Sequence, residues 1–118
     1  MLTLIDHPLD EATASTLDAF LDRVEAQFPL HSAVLFGSRA RGDFQPDSDA
    51  DVAVLLTGQR GKFMEAKLTM ADMAFDVMLD TGIRIEPLPV WMDEWASPDT
   101  YRNPFLLRNI AKDGVMIR

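Results

Sequence analysis

Between residues 10 and 28, Leu17, Phe20, Leu21, Val24 and Phe28 recur at helical spacing and make one apolar stripe, so the pattern predicts an amphipathic helix with Pro29 just past its end. Ser32 to Phe36 (SAVLF) is short, apolar and bounded by Gly37, which reads as a buried strand. Asp49 to Leu56 alternates: Asp49, Asp51, Ala53 and Leu55 fall on one face of an extended segment, and Val52, Val54 and Leu56 on the other. After a turn at TGQRG, residues 62–80 return to helical spacing, with Phe63, Ala66, Met70, Met73, Ala74 and Val77 in one stripe and Gly82 as C-terminal cap. Ile83 to Val90 (IRIEPLPV) predicts a third strand, on an edge or cut short, because Pro87 and Pro89 cannot donate to a ladder. Asn103-Pro104 opens a helix over 104–112 with Phe105, Leu106 and Ile110 inward, and after Gly114 the run Val115 to Ile117 is a last short strand.

The order is therefore α-β-β-α-β-α-β, without internal repeats or low-complexity tracts. Helices interleaved among strands predict one α/β domain over residues 1–118, a small mixed β-sheet with helices packed on it. Trp91 and Trp95 stand four residues apart, so one turn of helix would put them on one face. That placement suits core or lid packing, or else a partner surface or a base-stacking platform.

Composition narrows the chemistry. Apolar residues make up 47% of the 118, enough for a real core. The absence of cysteine excludes disulfides and thiolate metal sites and fits a cytoplasmic protein. The first residues, MLTLIDHPLDEA, carry acid early and hold no long apolar run, so neither a signal peptide nor a membrane span is expected. Eleven Lys and Arg against nineteen Asp and Glu leave a net charge of −8. Such a surface repels a phosphate backbone, and direct nucleic-acid binding is not expected. A small phosphorylated substrate held by a local Arg cluster or a metal remains compatible with it, as does a basic protein partner.

One loop stands out. LFGSRARGDFQPDSDADVAVLL, residues 35–56, joins two apolar strands through Gly37, Ser38, Arg39, Arg41 and Gly42, then Asp43, Asp47, Asp49 and Asp51. Residues two apart on a strand share a face, so Asp49 and Asp51 repel each other unless a proton or cation lies between them. Mg²⁺, which takes one or two carboxylates together with water and substrate phosphates, would relieve this. The other reading is a pair of acids at an exposed strand end. Gly37 permits close approach of a backbone or a phosphate, and Ser38 is placed to cap a short helix whose free N–H groups face phosphate oxygens. Arg39 and Arg41 would add charge-assisted hydrogen bonds, or else be solvated turn residues. Asp43 and Asp47 read as turn formers. His7 and His31 have no partner at metal-ligand spacing.

The combination is more specific than its parts. Gly37-Ser38, ten intervening residues, then Asp49-Ala50-Asp51, each half on its own strand, resembles the signature of the nucleotidyltransferase superfamily that includes DNA polymerase beta. The run GSRARGDFQPDSDADVAVLL is similar to its minimal bacterial branch, the MNT-type proteins, and NPFLLRNIAKDGVMI is similar to that branch's closing helix-Gly-strand. The resemblance implies the polymerase beta palm-like fold. It implies that Gly37 and Ser38, with Arg39 and Arg41 beside them, hold the triphosphate. Asp49 and Asp51 would ligate two Mg²⁺ ions, with Glu86 as the candidate third carboxylate. The superfamily's usual residue there is Asp; here it is Glu, followed at once by Pro87.

The implied reaction is Mg²⁺-dependent transfer of AMP from ATP to a hydroxyl. With no obvious acceptor-holding domain, the acceptor is expected to be a partner protein, or a second subunit is expected to complete the site. The branch implies a HEPN-type toxin as partner and an antitoxin role. The competing expectations are a nucleotide-binding module that neutralises its partner by steric occlusion and, ranked lower, an aminoglycoside nucleotidyltransferase.

Overall fold

The computed structural model describes all 118 residues. A two-residue strand β1 (Leu2–Thr3) precedes helix α1 (Glu11–Gln27), then β2 (Leu30–Phe36), the single-turn helix α2 (Ser38–Arg41), β3 (Ala50–Leu56) and α3 (Phe63–Thr81). Strand β4 (Ile85–Trp91), short helix α4 (Met92–Ala96), a 3-10 turn (Pro98–Thr100), α5 (Pro104–Asp113) and β5 (Val115–Met116) complete the chain. The five strands form one mixed sheet in the order β1-β5-β2-β3-β4. β2 runs antiparallel to β3, and β3 parallel to β4. No helix is long and apolar enough to cross a membrane.

The alternation within β3 sorts the core into two layers. Val52, Val54 and Leu56 pack with Phe20, Leu21 and Val24 of α1 and with Met70, Ala74 and Val77 of α3. Ala53 and Leu55 face the other way, onto Tyr101, Leu107 and Ile110. The sheet is thus covered on both faces, and Asp51 follows the parity of Ala53 at the end of the strand where the second layer stops. α1 starts where its side chains allow: Asp10 caps it, accepting from the Thr13 amide at 3.0 Å.

Three expectations shift, and β4 takes the edge position that its prolines predict. β2 begins at Leu30, directly after Pro29, because Leu30 pairs with Leu56 and a register irregularity lets His31 swing out to solvent. β4 keeps its full length despite its prolines. It is the sheet's edge, and both prolines share the parity that faces away from β3. Their outward carbonyls are taken up by Lys67 Nζ (2.8 Å, to Pro87) and Tyr101 Oη (3.3 Å, to Pro89). Trp91 and Trp95 do not share a helix face: Trp91 ends β4 and is buried in the first layer, while Trp95 lies on α4 against the second. In α5 the buried residues are Leu107 and Ile110, and Phe105 points to solvent at 75% exposure. The helix starts at the Asn103 cap, whose side chain accepts from the Leu106 amide, and Leu107 and Ile110 pack in the second core layer.

This last correction can be measured. Leu107→Ala should cost about 2–5 kcal/mol, whereas Phe105→Ala should stay within about 0.5 kcal/mol, both read from urea denaturation.

Candidate active site

The β2–β3 register sets Phe36 opposite Asp51, so the residue that follows β2 must turn directly beside the Asp51 carboxylate. That residue is Gly37, at φ 76°. A Cβ there would collide with Asp51 Oδ2, and the backbone conformation is one that side-chain-bearing residues rarely adopt. Sequence reasoning assigned the cap of α2 to Ser38. The structure gives that position to Gly37 and makes Ser38 the first helical residue, half-buried.

The two arginines part company. Arg39, expected at the phosphates, is 4% exposed. Its guanidinium donates to Ser48 O (2.9 Å), Pro46 O (3.2 Å) and Thr13 Oγ1 (2.9 Å), and it stacks over the Phe44 ring. Every face of the group is committed to the loop and to the start of α1, so it organises the 42–48 segment instead of facing a ligand. Thr13 passes the contact on, donating from Oγ1 to Asp10 at 2.9 Å. Burial works against charging Asp10, but the Thr13 hydrogen bonds and the Arg39 charge outweigh it and hold the carboxyl below its usual pKa. Arg41 is exposed, pairs with Asp43 at 3.3 Å and remains near enough to Asp51 to favour its ionised form. Asp47 lies in an exposed turn.

Asp49 is the last residue before β3, and Asp51 the second residue within it, both partly exposed. In the parallel β3–β4 ladder Asp51 pairs with Glu86. Burial raises the Asp51 pKa, and the charges of Asp49 and Glu86 raise it further against the pull of Arg41. Glu86 is already engaged: Lys67 Nζ donates to Oε1 at 3.0 Å, and Arg84 lies 3.7 Å from Oε2. No three acidic or imidazole side chains gather into a metal cage. The donor set therefore suits a hard cation held by Asp49 and Asp51, completed by water and phosphate oxygens, and such a cation would relieve the repulsion at Asp51.

Residues 17–96 match the model of the nucleotidyltransferase domain family. The chain belongs to that family. A solved structure from Sulfolobus solfataricus, described as a candidate nucleotidyltransferase, shares the fold at a TM-score of 0.51 and 21% identity, covering 91% of this chain and 86% of that one. No curated protein matches the chain. The nucleotidyltransferase match spans Gly37, Ser38, Asp49, Asp51 and Glu86, and it ends before α5.

α5 nevertheless lies beside the Gly37 turn. A cavity of about 630 Å³ opens beside Gly37 and Arg41, with Phe36, Leu106, Asn109 and Lys112 in its wall. Its size is that of a small-ligand pocket, and its lining mixes apolar surface with two cations, Arg41 and Lys112, the Asn109 amide and the Asp113 carboxylate. Asn109 and Lys112 escaped the sequence reading, although their spacing of three on a helix whose inward face was already identified marks them as neighbours on its polar side. Lys67 had no such signal, since its partner Glu86 is 19 residues away.

The crowding at Asp51 has a measurable cost. A carboxyl whose pKa is raised by folding destabilises the fold once pH exceeds its unfolded value, and costs nothing below that value, where both states are protonated. In metal-free buffer at pH 7, Asp51→Asn should therefore raise Tm by roughly 1–4 °C. The gain should disappear below about pH 4, as followed by circular dichroism.

Proposed function

We propose that this nucleotidyltransferase transfers AMP from ATP to a hydroxyl of a partner protein, with Mg²⁺ held by Asp49 and Asp51. The observation that carries the reading is the packing of the Gly37 turn against Asp51, which places a glycine-serine turn, two carboxylates and the Arg41-lined cavity at one end of the sheet. Gly37 and Ser38 receive the triphosphate, with Arg41 and Lys112 as the cations within reach of the same cavity. Phe36 and Leu106 offer the apolar surface on which a base would rest. Mg²⁺ supplies charge neutralisation of the phosphates and lowers the pKa of an attacking hydroxyl. The chain's own part is positional: it fixes the two carboxylates on a strand end and a turn beside them, so that the triphosphate binds in one orientation.

The branch resemblance further supports an antitoxin acting on a HEPN-type toxin in the cytoplasm, and the acidic surface, at −8, is complementary to a basic RNA-cleaving partner. A second reading has its own observation. Glu86 is paired with Lys67 and Arg84, so the third carboxylate is not free, which favours a nucleotide-binding module that acts on its partner by occlusion.

The deciding experiment supplies α-labelled ATP, Mg²⁺ and an extract of the source cell as acceptor pool. Transfer of label to a protein band should require Mg²⁺ and fall at least about a hundredfold, a barrier change of about 2.7 kcal/mol, in Asp49→Asn/Asp51→Asn. Persistent labelling by the double variant would sink the mechanism. If instead the wild type binds Mg-ATP and labels nothing, while both proteins neutralise the partner equally, the occlusion reading replaces it.

A further inference from the structure

α3 carries two apolar faces, and the fold covers only one. Ala66, Met70, Met73, Ala74 and Val77 are buried against the sheet and α1. On another side of the same helix Met64, Leu68, Phe75 and Leu79 stand 56%, 60%, 55% and 68% exposed. With Ala71 they follow a spacing of four, three, four and four residues, the seam of a helix that packs on another helix. These are four of the eight large apolar side chains exposed anywhere on the chain, so the surface concentrates them where isolated ones would be ordinary. The seam borders a groove of about 400 Å³ between α3 and β4, whose lining includes Ala71, Ile85 and Pro87 and reaches Lys67 and Glu86. Glu86 pairs with Asp51, so the groove leads to the carboxylates.

We propose that this face of α3 docks an amphipathic helix of a partner protein, one whose apolar seam is flanked by Lys and Arg. A strand is the wrong occupant, because the free edge of β4 carries Pro87 and Pro89 and their carbonyls are already bonded. Charge selects among helices. Glu65, Asp72, Asp76 and Asp80 run along the outer flank of the seam, all exposed, with only Glu65 and Asp76 near a cation, while the cations on the groove side, Lys67 and Arg84, are both paired with Glu86. A second copy of this chain would bring the same flank: in an antiparallel α3 pair Ala71 and Asp72 fall at the twofold axis, where each Asp72 meets its own copy, and each chain carries −8. An anionic membrane prefers Lys and Arg beside the apolar face, the reverse of what stands here. Basic flanks on the incoming helix satisfy the acids, and Ala71 lets the two backbones approach. The inference deepens the reading of a protein acceptor, since a helix seated here lies next to the site.

The test uses a fluorescein-labelled designed helix of about three heptads, with Leu on the seam and Lys along the flank that meets the acids, titrated with the full chain and no nucleotide. Fluorescence anisotropy should show saturable binding that weakens at least tenfold in Leu68→Glu/Phe75→Glu, at least tenfold in Asp72→Lys/Asp76→Lys, and at least tenfold for a Glu-flanked peptide with the same seam. All substituted side chains are exposed, so the variants should keep the wild-type Tm. Equal binding by either variant, equal binding of the Glu-flanked peptide, or no saturation by 100 μM protein would overturn the proposal. So would a dimer of the chain alone in light scattering, or binding to phosphatidylglycerol vesicles, if lost in Leu68→Glu/Phe75→Glu. The nucleotide-free assay separates this proposal from the transfer chemistry: the Asp49→Asn/Asp51→Asn protein should bind the peptide as the wild type does.

Discussion

The absence of one carbon atom organises this site. β2 and β3 are antiparallel neighbours, and Phe36 opposite Asp51 leaves the next residue no room for a Cβ. Glycine at that point lets the chain turn back over the strand that carries the carboxylates. The register comes from the apolar alternation of both strands, since a slip by one residue would send Val52 and Val54 to the wrong layer. The site's geometry is thus inherited from the core: the same pairing that buries Val34 against the second layer sets the glycine against the aspartate.

That arrangement works against the stability of the metal-free fold. Asp51 is partly buried, and with Asp49 and Glu86 nearby its carboxyl is harder to ionise. A chain selected only for stability would disperse them. The fold answers part of the repulsion with its own cations, Lys67 and Arg84 at Glu86 and Arg41 toward Asp51. A cation bound at Asp49 and Asp51 would relieve that repulsion, and its affinity would then be linked to the integrity of the strand that holds the carboxylates.

Periodicity made the main elements readable. The stripe from Leu17 to Phe28, the alternation after Asp49 and the edge placement of the proline-bearing β4 each follow from the local sequence, and the structure keeps all three. Arg39 was unreadable for a physical reason: arginine is ordinarily exposed, and its burial here depends on two loop carbonyls and a threonine 26 residues upstream. Phe105 was placed inward because it and Leu107 both suit an apolar position, and which of them is buried depends on how α5 packs on the sheet, a contact between distant elements. The second face of α3 was hidden in a helix with so many apolar residues that one stripe accounted for its placement. Lys67 and the α5 wall of the cavity arise from contacts between distant elements, which no local pattern records.

The buried Arg39 also bears on where the working unit begins and ends. Its contact at Thr13, and through Thr13 to Asp10, lies outside residues 17–96, the stretch shared with other nucleotidyltransferases, and so does the helix that walls the cavity. A chain trimmed to the shared stretch would retain the glycine, the serine and both aspartates. It would lose the anchor that holds the 42–48 segment in place and half of the surface beside the glycine turn. The borders of inherited sequence similarity and the borders of mechanical support do not coincide here, and residues 10–13 and 104–113 belong to the second without belonging to the first.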